Sequence, residues 1–151
     1  MKHMYRIFDD IDDLPRTLFH GVHRSRKLPL DEWIEAEVKY GQDGSGQKKK
    51  RYKTGFHMVD SEAAALKFLD TMFKYKNQRV VCRVLVDETA GTWPKPHSRH
   101  GITLVKRMKI TSTAWAKRAR LPRRKTSDKN TENQRRSVYR GRHAEDVRVN
   151  R

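Results

Sequence analysis

The sequence predicts a small mixed α/β (α+β) domain with a curved sheet and two helices, followed by a basic, disordered C-terminal tail. Three observations carry that expectation. Strand-like and helix-like runs alternate over residues 1–112. Large apolar side chains concentrate in that stretch, whereas residues 113–151 hold few. The 151 residues carry 35 Lys and Arg against 18 Asp and Glu, a formal charge of +17. Such a length suits one domain with chain to spare. A hydrophobic share of 35% is too small for a core running the full length.

The elements follow in chain order. TLFHGV, from Thr17, is short, apolar and partly β-branched, and reads as a strand. In residues 28–40, Leu30, Trp33, Ile34 and Val38 recur at helical spacing, with Asp31 and Glu32 in the first turn where the helix dipole favours negative charge. A first helix is therefore expected over Asp31–Tyr40. GQDGSGQKKKR, residues 41–51, is a glycine-rich basic loop, and YKTGFHMV after it is a second strand. Asp60 or Ser61 caps a second helix, with Glu62 in its first turn and Ala65, Phe68, Leu69, Met72 and Phe73 as its apolar stripe. RVVCRVLV, residues 79–86, is apolar on both faces except at Arg83, the pattern of a central strand. ITLVKRMKI, residues 102–110, alternates: Ile102, Leu104, Met108 and Ile110 face a core, while Thr103, Val105, Arg107 and Lys109 face outward.

The tail carries 13 Lys and Arg against 4 Asp and Glu, a net +9 in about a quarter of the length; the first segment carries 22 against 14, a net +8. TSDKNTENQRRS, residues 126–137, has no apolar residue and cannot offset its own conformational entropy by burial. Ala114, Ala116 and Ala119 favour a short helix ended by Pro122. Trp115 either pins this segment to the domain or helps it lie along a nucleic acid.

A one-signed surface of this strength attracts polyphosphates, since each Lys or Arg that meets a phosphate releases a condensed counterion. The expected partner is nucleic acid, RNA ahead of DNA. The expected contacts are Lys48, Lys49, Lys50 and Arg51 in the loop and Lys117, Arg118, Arg120, Arg123, Arg124, Lys125, Arg135 and Arg136 in the tail. A third reading is a small phage or mobile-element accessory protein acting on a host ribosome or polymerase. No long apolar run is present, so no membrane span is expected. MKHMYRIFDD lacks the apolar centre of a signal peptide. Cys82 is the single cysteine, which fits a reducing compartment and a cytoplasmic location, with the thiol buried between valines. Cys82, His97 and His100 match no compact zinc spacing, and no metal or other cofactor is expected. Gly41 to Lys48 has the glycines of a phosphate-binding loop but no Lys-Ser/Thr pair, and it follows an expected helix.

Three short stretches resemble the ADP-ribosyltransferase fold, over roughly residues 15–90. Phe19-His20-Gly21-Val22 is similar to the His-Gly strand of the diphtheria-toxin-type NAD site. Gly55-Phe56-His57 with Ala63-Ala64 resembles the Gly-Phe-Tyr strand and its Ala-rich helix, and RVVCRVLV follows in the same order. The resemblance implies NAD as cofactor, His20 on the nicotinamide ribose, and His57 and Phe68 in the places of the two stacking aromatics. The family's catalytic Glu has no counterpart: ITLVKRMKI contains no acid, and Glu88 ends the preceding strand. A pair of His without that Glu is similar to the RNA 2′-phosphotransferases, for which Arg24, Arg26 and Arg83 are candidates by position to grip an RNA phosphate.

Overall fold

Residues Arg79–Val86 form the strand on which everything else is built. In the computed structural model, which describes residues 1–18, 25–41, 51–72, 78–96 and 98–122, this strand is central and buried on both faces. Ten strands and two α-helices occur among the described residues: β1 (Lys2–Ile11), β2 (Leu14–Arg16), β3 (Trp33–Glu35), β4 (Tyr40–Gly41), β5 (Tyr52–Lys53), β6 (Phe56–Met58), α1 (Glu62–Asp70), β7 (Arg79–Val86), β8 (Thr92–Pro94), β9 (Thr103–Val105), β10 (Arg107–Lys109) and α2 (Ser112–Ala116), with a 3-10 turn at Glu88–Ala90. The result is a small mixed α/β fold made mostly of strands, with two helices. A curled antiparallel sheet runs in the order β2-β1-β7-β10-β3; β6-β9-β8 form a second sheet and β4-β5 a separate ribbon.

The register explains why β7 is apolar on both sides. Met4 lies opposite Val84 and Phe8 opposite Val80, and this face packs with Cys82, Val86, Phe56, Met58, Val105, Met108 and Trp115. Ile7 lies opposite Val81 on the other face, which α1 covers with Ala65 and Leu69. Alternate residues of a strand point to opposite faces, so a strand between two cores must be apolar throughout. The helix itself begins where expected: the Ser61 hydroxyl accepts from the Ala64 N–H at 3.1 Å.

Two charged groups enter this interior from β1. Asp9 and Arg79 are both buried and pair at 3.4 Å. Arg6 sits on the inward face, its guanidinium 5.2 Å from the Phe56 ring and 5.5 Å from that of Phe8. It donates to the His57 carbonyl at 3.1 Å, and its Nε has no hydrogen-bond partner among the described residues. Burial lowers its pKa to about 10, so it stays cationic at neutral pH.

Several expectations need correction. Residues 31–40 are not a helix. Asp31 has φ +61°, a left-handed conformation that cannot start one, and its carboxylate accepts from the Ser112 hydroxyl and from the Ser112 N–H at 2.9 Å. Those hydrogen bonds hold the Asp31 carboxyl below its ordinary pKa. Trp33–Glu35 then pair with β10 as an edge strand. The loop at 42–50 therefore joins two strands, β4 and β5, rather than following a helix. It still lacks the helix that a phosphate-binding loop would lead into. Thr17 and Leu18 lie past the end of β2, and residues 19–24 are outside the described residues.

ITLVKRMKI divides at Lys106, where the chain bends between β9 in one sheet and β10 in the other. The bend exchanges the faces, so Val105, expected outside, is buried in the same core as Met108 and Ile110. The strand β1 was not anticipated at all. It ends in a two-residue turn in which Asp12 and Asp13 both have positive φ, 57° and 61°, as the favoured hairpin turns require.

By compactness the chain divides into Met1–Leu121 and Pro122–Arg151, and all of the second unit except Pro122 is outside the described residues. Trp115 anchors the end of the first unit: it is buried, meets Phe8 edge-on at 6.0 Å, and donates Nε1–H to the Asp13 carbonyl at 2.9 Å. Ala119 bridges to Val81 on the edge of β7.

Cys82 is 1% exposed, and burial pushes its pKa up to about 12 from an ordinary 9.0. A raised acid pKa stabilises the fold fully below the unfolded value and loses that contribution as pH climbs through the folded value. Stability should therefore decline between pH 9 and about 12. In the native protein at pH 8, a thiol reagent such as Ellman's reagent should react with Cys82 only at the rate of unfolding. Immediate full reaction would contradict this burial.

Candidate functional site

The basic stretch from Gly41 to Arg51 connects the two strands of the β4–β5 ribbon. Tyr40 pairs with Lys53 and Gly41 with Tyr52, which brings the two ends of the loop together. Thr54 closes the base: its N–H donates to the Lys39 carbonyl at 2.8 Å, and its hydroxyl accepts from the Lys39 N–H at 3.0 Å. Arg51 is exposed at the end of this loop; Lys48, Lys49 and Lys50 lie outside the described residues.

At the base of the hairpin, rings and cations alternate. The Lys53 ammonium lies 4.4 Å from the Trp93 ring centroid, and that of Lys95 lies 5.5 Å from the Tyr52 ring. Trp93 is held in place from below. Its Nε1–H donates to the Lys53 carbonyl at 2.8 Å. Gly55 passes beneath it so closely that a Cβ there would stand 3.1 Å from the ring and 2.9 Å from the Val105 carbonyl. Gly91, at φ +124°, completes the support in a conformation that L-residues rarely adopt. Trp93, Lys53, Lys106 and Gly91 border an open groove of about 510 Å³, with Val38 on its wall.

Such an array is suited to a chain of phosphates and flat rings. Lysines supply charge, the aromatic rings offer stacking faces, and the hydrogen-bonded Trp93 is preorganised. Sequence alone suggests Tyr52, which directly follows the loop, as a stacking residue; Trp93, Lys53, Lys95 and Lys106 are not among the expected contacts. The available signal was the juxtaposition of aromatic and lysine in Tyr52-Lys53 and Trp93-Pro94-Lys95, which becomes a site only when β5 and β8 meet.

The tail cations fare differently. Lys117 is exposed. Arg118 instead completes the fold: it pairs with Asp10 at 2.8 Å and Asp13 at 2.5 Å, donates to the Trp115 carbonyl at 2.9 Å, and lies 4.7 Å from the Trp115 ring. Burial disfavours its charge, but the Asp10 and Asp13 carboxylates outweigh this and raise its pKa. Arg120 pairs with Asp10 as well. Two residues expected at phosphates are thus engaged by carboxylates over 100 positions earlier. Arg123, Arg124, Lys125, Arg135 and Arg136 lie outside the described residues.

Of the residues named by the ADP-ribosyltransferase resemblance, His20 and Arg24 are outside the described residues. Phe68 projects from α1 and stacks on His100, ring centroids 4.4 Å apart. His57 lies on β6 between Phe56 and Met58, which enter the core while His57 is half-buried on the opposite side. Among the described residues, no group of three or more His, Cys, Asp or Glu is placed to hold a metal ion, and no helix is long and apolar enough to cross a membrane. The chain matches no family model, no curated protein and no solved structure.

Proposed function

We propose that this protein binds nucleic acid, RNA in preference to DNA, chiefly through its phosphates. The observation that carries the reading is the pair of ring–cation contacts, Lys53 on Trp93 and Lys95 on Tyr52, at the foot of a hairpin whose loop holds Lys48, Lys49, Lys50 and Arg51. The net charge of +17 supports it, because the attraction is long-ranged and one-signed. Little base readout is built into such contacts; phosphates position, and stacking tolerates any base.

Fluorescence anisotropy of labelled single-stranded RNA with the full chain tests this across a salt series. Each phosphate neutralised contributes about −0.7 to the slope of log affinity against log salt on a single strand. A slope steeper than about −2 is expected, which corresponds to three or more phosphate contacts. Affinity that hardly changed with salt, or no binding of RNA or DNA in dilute buffer, would overturn the proposal.

A further inference from the structure

Among the described residues, α1 covers the outward face of the larger sheet over only part of its width. Ile7 and Val81 lie beneath the helix with Ala65 and Leu69. Beyond them, the register lines up one residue from each of four strands: His3 faces Leu85, Leu85 faces Lys109, and Lys109 faces Trp33. Tyr5 and Arg83 form the adjoining pair, and Arg107 and Glu35 the pair beyond Lys109 and Trp33. His3, Arg83 and Glu35 are exposed; Tyr5, Leu85, Lys109, Arg107 and Trp33 are half-buried.

This part of the sheet has an unusual composition for a solvated face. Arg107 lies 5.0 Å and Lys109 6.0 Å from the Trp33 ring centroid. Arg107 also pairs with Asp87 at 3.2 Å and lies 4.0 Å from Glu35, so part of its charge is already met. Arg83 has no carboxylate partner among the described residues, and Lys109 meets the Trp33 ring and acts electrostatically on the Asp31 carboxylate. The patch therefore combines an aromatic ring, an apolar Leu85 and a surplus of cations, of which Arg83 has no carboxylate partner among the described residues.

We propose that this open half of the sheet is a stacking platform for single-stranded nucleic acid. The inference rests on the nucleic-acid reading above and narrows it to the single-stranded form. Bases lie against Trp33 and Leu85, and Arg83 and Lys109 meet the phosphates that flank them. The geometry selects against a duplex: paired bases are stacked on one another and present no π-face to a flat sheet, whereas an unpaired strand can splay two or three bases across it. The row crosses three inter-strand gaps of about 4.8 Å, a platform about 14 Å wide.

The test compares the full chain with Trp33→Ala, Trp33→Phe and Arg83→Glu, using labelled oligouridylate of about 12 nucleotides, within the usual site size of such proteins, and an RNA duplex of equal length. Arg83 is exposed, so its variant leaves the fold intact and keeps the test meaningful where Trp33→Ala lowers stability. The expected result is single-strand binding weakened about 10- to 100-fold by Trp33→Ala, largely restored by Trp33→Phe, and weakened about 10-fold by Arg83→Glu. Duplex binding should be weaker than single-strand binding in the wild type and unaffected by Trp33→Ala. Wild-type binding with equal affinity for duplex and single strand, or single-strand binding untouched by all three variants, overturns the platform and leaves the nucleic-acid reading standing. Failure of the wild type to bind either probe overturns both.

Discussion

Asp9→Ala should lower the stability of this protein by about 3 kcal/mol. Asp9 is 2% exposed and pairs at 3.4 Å with Arg79, itself 6% exposed. The pair lies where β1 and β7 run alongside each other, in register. Removing one member of a buried ion pair is costlier than the pair was favourable, because the remaining charge stays desolvated. Arg79 also contacts the Met72 sulfur at 2.9 Å, and a thioether is a far weaker acceptor than a carboxylate. For a domain with a total stability of about 5–15 kcal/mol, the loss is a substantial fraction. Urea denaturation checks it as a fall in midpoint at constant slope. The double variant Asp9→Ala/Arg79→Met should be more stable than Asp9→Ala alone, since it also removes the buried guanidinium. Simple additivity of the two single changes would show that Asp9 and Arg79 are not coupled.

Two truncations should separate the fold from the tail. Ending the chain after Pro122 removes 10 Lys and Arg and 4 Asp and Glu. The fold should survive, because the first unit ends at Leu121. RNA binding should weaken by on the order of a hundredfold in low salt, with a shallower salt slope. Ending the chain after Ser112 should instead unfold it or leave it molten. Trp115 fills the core beside Phe8, and Arg118 ties down Asp10 and Asp13. Loss of a buried aromatic alone costs about 3–5 kcal/mol. Circular dichroism and thermal melts distinguish the two outcomes. A Ser112 truncation that melted like the full chain would refute this account of Trp115.

The parts of the fold legible in the sequence are those whose signal is local. α1 declares itself by Ser61, Glu62 and an apolar stripe, all within a dozen residues. β7 declares itself by an unbroken apolar run that only a strand between two cores requires. Residues 30–38 show why the same logic fails elsewhere. Leu30, Trp33, Ile34 and Val38 have helical spacing, yet Asp31 takes a left-handed conformation, and the edge of β10 offers Trp33–Glu35 hydrogen-bond partners that lie more than 70 positions away. Non-local pairing overrode local periodicity. The bend at Lys106 is a second case. A one-residue break in a strand exchanges inside and outside, so an alternation read through it assigns Val105 to the wrong face.

The candidate site divides in the same way. Lys48, Lys49, Lys50 and Arg51 were legible as a charge run, because charge is a property of composition. Arg118 and Arg120 looked equivalent to them and are not: Asp10 and Asp13 claim them across the whole length of the domain. Nothing in the sequence marked Trp93 as a site residue, and Trp33 read as part of an apolar helical face. Each acquires its cations, Lys53 for one and Arg107 with Lys109 for the other, only when distant strands come together.

The amino-acid sequence by itself determined the net charge, the helix α1, the two-faced strand β7 and the buried, inert character expected of Cys82. Each is a matter of composition or of contacts within a few residues. Only the tertiary structure decided which cations face solvent and which are held by carboxylates, where the domain ends, and which aromatic rings meet lysine or arginine. Those outcomes depend on strand order and register, and a pairing between residues 70 to 110 positions apart leaves no mark on either segment alone.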